Sequence, residues 1–260
     1  MTKEIPNILY KYRDWANDYH KRSLTETEIY FAAPTDFNDP FDCSVPFRYD
    51  EKELTPENIF NKLVIMGRRH HPDWSEERIH ELAFDAQREN SIKDESHFEK
   101  HDEATRDRFN KTFGIVSLTP EKNNFLMWSH YSNSHRGFTI GYDRNKLFAQ
   151  TPGELGPVQY RKEFPKYGLF DDHVKYFLNY AYVKSDIWEY ENEYRLLREG
   201  SRKIEKLTED TIAEIIFGNK MDQATKFELL KLIEKKYPAA IVFDSKLHKS
   251  KFELTLERVR

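Results

Sequence analysis

The residues best suited to chemistry are two glutamates in a short aromatic segment, residues 188–195 (WEYENEYR). We predict a strand over residues 193–197. Because residues two apart in an extended chain point to the same face, Glu191 and Glu193 would line one surface. Paired carboxylates stabilise the oxocarbenium character that develops when a glycosidic bond breaks. Two glutamates on one surface would suit that chemistry.

Five further segments combine polar and aromatic residues in a way that no simple core periodicity explains. They are residues 9–13 (LYKYR), 37–42 (FNDPFD), 117–119 (SLT), 127–131 (MWSHY) and 135–138 (HRGF). Their spacing through the chain is too wide for one local structure, so we expect the fold to bring them together around one ligand-binding cleft.

These segments also carry cations and aromatic rings, which would suit the phosphates and rings of a nucleotide-type ligand. A pyrophosphate needs a cation, and the forked guanidinium of Arg13 suits it better than the ammonium of Lys11. Aromatic rings stack on nicotinamide or adenine. The candidate binding residues are Lys11, Tyr12, Arg13, Asn38, Asp39, Ser117, Thr119, Trp128, His130, Tyr131 and Arg195.

In this order the segments resemble an uncharacterised bacterial family classed as a domain of unknown function, with the pattern YKYR, FNDPFD, SLT, MWxHY, HxGF and WxxExExR. The resemblance runs from Leu9 to about Arg195. The chain is also similar in outline to ADP-ribosyltransferases, which bind NAD in a cleft between two small sheets. That second resemblance implies a split antiparallel or mixed sheet, NAD as the cofactor, and cleavage of the nicotinamide–ribose bond, in a setting such as stress or phage defence.

The same resemblance implies roles for individual residues. Lys11 or Arg13 would stand for the basic residue of the first strand, and Ser117 and Thr119 for the serine and threonine of the second. Glu193 would be the catalytic carboxylate of a later strand, with Glu191 as its helper. The family's usual histidine or arginine is replaced by Lys11 here, unless Arg13 takes that role.

Other interpretations of these residues stay open. Glu191, Glu193 and Arg195 also suit a structural ion-pair network, and Asp39 suits a turn. One alternative function is a non-catalytic ligand sensor or protein-interaction module, which the Lys11 replacement favours. A second is a metal-dependent hydrolase or nuclease, but the chain has no His-Glu-x-x-His pattern, and no metal site is predicted.

The elements that must position these residues are of mixed type. Interleaved strands without a regular βα repeat favour α+β structure in a single domain over residues 1–260, with a helical insertion at about 53–113. Predicted strands cover residues 8–12, 28–32, 114–118, 137–142, 158–160, 193–197, 240–243 and 251–259. Predicted helices cover residues 124–131, 171–184, 209–217 and 223–237.

Composition excludes several classes of protein. The net charge of −4 and the isoelectric point of about 6.2 provide no overall basic field for nucleic acid. The single cysteine, Cys43, fits a reducing compartment, and no apolar run is long enough for a membrane helix, so we expect a cytoplasmic protein. The expected partner is a nucleotide-type small molecule; a macromolecular acceptor and the oligomeric state are not specified by the sequence.

Overall fold

A computed structural model describes residues 4–89 and 95–260, and these form mixed α+β structure with several sheets, as predicted. Contacts divide the chain into two compact units. The first unit is made of the described residues of Met1–Phe37, Asn110–Tyr160 and Asp186–Arg260, and the second of those of Asn38–Phe109 and Arg161–Ser185. Both units are therefore built from segments that are distant in sequence.

The largest sheet of the first unit has five strands in the order β1-β4-β10-β11-β12. These strands are β1 (Ile8–Arg13), β4 (Phe138–Asp143), β10 (Ile212–Phe217), β11 (Ile241–Leu247) and β12 (Leu254–Arg258). All neighbours are antiparallel except β10 and β11, which are parallel. The sheet is thus mixed, and β4 and β10 lie in its interior, where their side chains are almost all buried.

A glycine of the HRGF segment allows β1 to end against β4. A Cβ atom added at Gly137 would lie 2.0 Å from the carbonyl oxygen of Arg13. Only a residue without a side chain permits this approach. Gly137 therefore lets the last pair of the β1–β4 ladder, Arg13 with Phe138, form at full register.

A second, antiparallel sheet of the first unit has the order β3-β8-β5, and β2 pairs with β9. The strands are β2 (Glu28–Phe31), β3 (Phe113–Leu118), β5 (Glu154–Pro157), β8 (Tyr194–Glu199) and β9 (Lys203–Lys206). Two backbone hydrogen bonds, of 2.7 and 3.0 Å, join Tyr10 of β1 to Thr119, just beyond β3. This bridge brings the first strand of one sheet to the end of a strand of the other.

Four helices of the first unit flank these sheets: α1 (Asp18–Thr25), α5 (Phe125–Tyr131), α6 (Arg144–Gln150) and α8 (Gln223–Lys236). Each begins after an Asn or Asp whose side chain accepts backbone N–H groups of the first turn. For α5 the cap is Asn124, which confirms the predicted helix start. The apolar core of this unit includes Leu9, Ile140 and Ile215, all fully buried.

One predicted helix of the first unit is wrong. We expected a helix over residues 209–217, but residues from Ile212 onward form strand β10. Ile212, Ile215 and Ile216 are β-branched, and they are buried between β4 and β11. Packing of these side chains in the interior of a sheet outweighs the short helical turn that remains at Glu209–Thr211.

The second unit is mainly helical. Its helices are α2 (Pro56–His70), α3 (Glu76–Arg88), most of α4 (Glu95–Thr112) and α7 (His173–Tyr182); the short strands β6 (Gln159–Arg161) and β7 (Val183–Ser185) stand where the chain passes between units. Three of these helices fall in the predicted insertion at about 53–113. The unit also takes in residues on both sides of that insertion, including Leu169, which is buried against α2 and α3.

The part of the chain that the structure describes contains no helix long and apolar enough to cross a membrane.

Candidate functional site

Lys11 and Arg13 lie on one side of β1, which we call the basic face of β1. Leu9, two residues before Lys11, is fully buried in the core on the same side. Both cations are only partly exposed. The strand thus carries two positively charged groups in succession beside an apolar core.

Lys11 donates a hydrogen bond from its Nζ to the backbone oxygen of Ser117, at 2.8 Å. Desolvation holds the pKa of Lys11 well below its usual value, and the nearby charge of Arg13 lowers it further, whereas Glu193 and Glu191 oppose the shift. The charges of Arg13 and of both glutamates therefore act on Lys11, which places all four in one electrostatic neighbourhood. Ser117 contributes to it through its main chain.

The guanidinium of Arg13 pairs with no carboxylate among the residues that the structure describes. Its Nε is buried without a hydrogen-bond partner, and burial lowers the pKa of Arg13, which the Tyr142 hydroxyl only partly offsets. Buried cations are normally paired, because leaving water costs several kcal/mol per ion. Arg13 is therefore a cation placed where an anion would be bound favourably.

His20, which the sequence analysis missed, adjoins the same basic face. Burial lowers its pKa from 6.5 to about 4, and the charges of Arg13 and Lys11 contribute. Its Nδ1 accepts a hydrogen bond from the backbone N–H of Asp14 at 3.2 Å, so the neutral ring carries its hydrogen on Nε2. The only sequence signal was its position one turn after the helix cap Asn17.

The two glutamates lie in a turn, which we call the acidic turn (residues 191–193), and not in a strand. Glu191 ends a 3₁₀ helix, Asn192 has a φ of +45°, and β8 begins only at Tyr194. The predicted extended geometry is therefore wrong, because the left-handed Asn192 breaks the alternation. Both carboxylates nevertheless act on Lys11.

Glu193 and Arg195 form a buried ion pair. Arg195 Nε donates to Glu193 Oε1 at 2.8 Å and its Nη2 to Oε2 at 3.2 Å, and the exposed fractions are 0 and 4%. The guanidinium of Arg195 also lies 5.7 Å from the ring centre of Phe37. Such a two-point contact fixes the orientation of the Glu193 carboxylate.

Glu191 is held by hydroxyl groups. The Tyr131 hydroxyl donates to its Oε1 at 2.5 Å, and the Thr119 hydroxyl donates to its backbone oxygen at 2.6 Å. Thr119 Oγ1 also accepts from the backbone N–H of Glu121 at 2.9 Å. Of the predicted residues, Tyr131 therefore contacts a candidate carboxylate directly, whereas the Thr119 hydroxyl supports the acidic turn.

Tyr12 and Trp128 are packing residues on the other side of β1. Their ring centres are 5.1 Å apart, edge to face, and Trp128 is fully buried. The Tyr12 hydroxyl donates to the backbone oxygen of Glu121 at 2.6 Å and accepts from the N–H of Asn124. Both were candidate binding residues, and in the structure their contacts are those of packing within the fold.

His130 lies on the exposed end of α5. Its Nδ1 is 2.8 Å from the hydroxyl of Tyr190, and its ring faces that of Trp188 edge-on at 6.3 Å. Asn38 and Asp39 belong to the second unit. The structure thus gathers Lys11, Arg13, Ser117, Thr119, Tyr131, Glu191, Glu193 and Arg195 within the first unit.

Among the described residues, no group of three or more His, Cys, Asp or Glu side chains could hold a metal ion.

No curated protein and no solved structure is detectably similar to the chain. Residues 127–196, which include Tyr131 and the acidic turn, match the sequence model of a family described as "Protein of unknown function (DUF2971)". The match confirms the predicted resemblance to an uncharacterised family of unknown function over this part of the chain.

Proposed function

We propose that the first unit binds an NAD-type dinucleotide, with the pyrophosphate on Arg13 and Lys11, and cleaves its nicotinamide–ribose bond in the manner of an ADP-ribosyltransferase or NAD glycohydrolase. The observation that carries the proposal is Arg13, a partly buried guanidinium without a carboxylate partner among the described residues. An anion bound there would replace the lost hydration of the cation.

The electrostatics of the basic face support this assignment. The charge of Arg13 lowers the pKa of Lys11, and a bound diphosphate would offset that repulsion. Neutral His20 adds a donor, its Nε2–H, without adding charge. Two cations and a neutral donor are a donor set suited to oxygen-rich anions.

The acidic turn supports the proposed chemistry. Cleavage of the nicotinamide–ribose bond develops positive charge on the ribose, which a fixed carboxylate stabilises. Glu193, oriented by Arg195, is assigned as the catalytic carboxylate, and Glu191, held by Tyr131, as its helper. Ser117 remains a proposed hydrogen-bonding residue for the ribose or nicotinamide side.

The arrangement of strands is in keeping with the proposed ADP-ribosyltransferase-like core. The basic residues lie on β1 of the five-stranded sheet, whereas Ser117 lies on β3 of the other sheet and the acidic turn leads into its strand β8. The bridge between Tyr10 and Thr119 joins the two. A ligand between them would touch the basic and acidic groups together.

Calorimetric titration with NAD, paired with chromatographic detection of nicotinamide, tests the proposal. We expect Arg13→Met to weaken NAD binding by roughly 10- to 100-fold, the value of charge-assisted hydrogen bonds. Arg136→Met, which removes an exposed arginine of the same unit, is the matched control. Equal NAD affinities of wild type and Arg13→Met, or no binding at all, would refute the binding assignment.

Glu193→Gln and Glu191→Gln then separate binding from cleavage. Both variants keep the shape of the side chain, so we expect them to bind NAD and to release nicotinamide at least about 100-fold more slowly. If wild type releases nicotinamide and both variants match its rate, the carboxylate roles are refuted while the binding assignment stands.

A non-catalytic nucleotide sensor is the second candidate, and one observation favours it. Both carboxylate oxygens of Glu193 accept hydrogen bonds from Arg195, which neutralises part of the charge that catalysis would use. For a sensor, NAD binds to wild type with the same dependence on Arg13, and no nicotinamide is released by wild type or by either glutamate variant.

A further inference from the structure

In the second unit, the FNDPFD segment forms a loop whose polar residues hold one aromatic residue outward. The Asp39 carboxylate accepts the backbone N–H of Phe41 at 2.9 Å, and the Asp39 backbone oxygen accepts that of Asp42 at 3.1 Å. The Phe41 oxygen in turn accepts the N–H of Ser44 at 3.2 Å. Two successive turns therefore fix the backbone on both sides of Phe41.

A buried ion pair also holds the loop, and its backbone is strained at Cys43. Lys184 Nζ lies 3.6 Å from Asp42 Oδ2, and both side chains are buried. Cys43, also buried, has a φ of +48°, a left-handed conformation that residues with a side chain rarely adopt. The fold thus maintains a strained, ion-paired loop in which the polar residues serve to present Phe41.

Phe41 has 61% of its surface exposed, and Phe164, with its ring centre 6.3 Å away, has 45%. The two rings border a cavity of about 430 Å³, within the size range of small-molecule sites. Its other lining residues are Val45, Arg161, Lys162, Glu163, Val183, Lys184 and Ser185. An aromatic surface therefore adjoins basic side chains, all within the second unit.

We propose that this cavity is a second ligand site and binds a mononucleotide, with the base on Phe41 and Phe164 and the phosphate on Lys162 and Arg161. Aromatic side chains beside cations are the combination that binds a base and a phosphate together, because every base has a stacking face. The Glu163 carboxylate can accept a hydrogen bond from an exocyclic amine of the base. The site is independent of the function proposed for the first unit, since no residue is shared.

Saturation-transfer NMR and calorimetry with AMP test the proposal, in the wild type and in Arg13→Met. The second protein removes the proposed phosphate contact of the first unit, so failure of one site is distinguishable from failure of the other. We expect AMP to bind both proteins, with the strongest saturation on the adenine protons. Phe41→Ala should weaken this binding roughly tenfold, as loss of one stacking ring does.

Lys162→Glu reverses the charge at the proposed phosphate position and should also weaken AMP binding, with a smaller effect for adenosine. Phe84→Ala, which truncates another exposed phenylalanine of the same unit, is the matched control and should bind AMP as the wild type does. Because Phe41 and Lys162 are exposed, neither substitution removes core contacts, and thermal melts of the variants should match the wild type.

Three outcomes would overturn the proposal. The first is AMP binding in Arg13→Met that is unaffected by Phe41→Ala. The second is binding of a single-stranded oligonucleotide but not of AMP. The third is a dimer in solution that dissociates in Phe41→Ala, which would identify the exposed rings as a contact between copies of this chain.

Discussion

The basic face of β1 and the acidic turn differ in how their buried charges are paired. At the acidic turn, Glu193 accepts two hydrogen bonds, of 2.8 and 3.2 Å, from Arg195 of β8. On the basic face, Lys11 donates a hydrogen bond to the backbone oxygen of Ser117, and Arg13 pairs with no carboxylate among the described residues. A paired buried charge is explained by folding alone, whereas a cation buried without its counter-ion is a cost that folding does not explain. The contrast separates the arginine that supports the structure from the arginine that is suited to a ligand.

Loss of the paired arginine should have the largest effect on stability. Arg195→Met removes the guanidinium that contacts both oxygens of the buried Glu193 carboxylate, and we expect the free energy of unfolding in urea to fall by about 3–5 kcal/mol. Glu193→Gln in the same chain should recover part of that loss. Arg202→Met, at an exposed pair with Asp36, is the control and should leave stability close to wild type. A loss below about 1 kcal/mol for Arg195→Met would contradict the contrast.

The unpaired arginine should behave in the opposite sense. Arg13→Met removes a desolvated cation that has no carboxylate partner among the described residues, so the free energy of unfolding should stay equal or rise by about 1 kcal/mol. Urea titration monitored by circular dichroism measures the change. A loss above about 2 kcal/mol would place Arg13 with Arg195 among the structural arginines, and the basic face would lose its distinction.

The smallest expected effect is a pH dependence of stability caused by His20, which adjoins the basic face. Its pKa is about 4 in the folded chain against 6.5 in the ordinary state, so the unfolded chain binds more protons between these values. Stability should therefore fall as the pH drops from about 6.5 to about 4. His20→Asn keeps an acceptor for the Asp14 N–H and should flatten this part of the melting-temperature profile. Parallel profiles for both proteins would show that His20 is not desolvated.

Patterns in the sequence predicted the elements whose signals are local. Strand β1, helix α5 with its Asn124 cap, and helix α8 follow from alternation, capping and periodicity, and all three were found. Strand β10 was missed because residues 212–217 are decided by their neighbours in the sheet. Residues Arg161–Ser185 pack with the second unit through contacts that are distant in sequence, and no local pattern predicts such contacts.

The candidate site was predictable in composition and not in geometry. The sequence selected four charged residues by chemical type: Lys11, Arg13, Glu191 and Glu193. In the structure, the charges of the other three act on the pKa of Lys11. The conformation of Asn192 was not foreseeable from alternation, since Asn only tolerates a left-handed backbone and does not require it. Nor could the sequence tell which arginine is paired, because pairing depends on contacts across the fold.

Because the segments of the two units alternate along the chain, the ribosome completes the second unit before the first. All segments of the second unit have been translated once Ser185 is made, whereas β10, β11 and β12 of the five-stranded sheet come later. During translation, the five-stranded sheet of the first unit therefore lacks three of its strands at a time when the second unit already has all of its residues. Strand β4 remains without its sheet partner β10 for this interval, and exposed strand edges of that kind are the surfaces that aggregate or recruit chaperones.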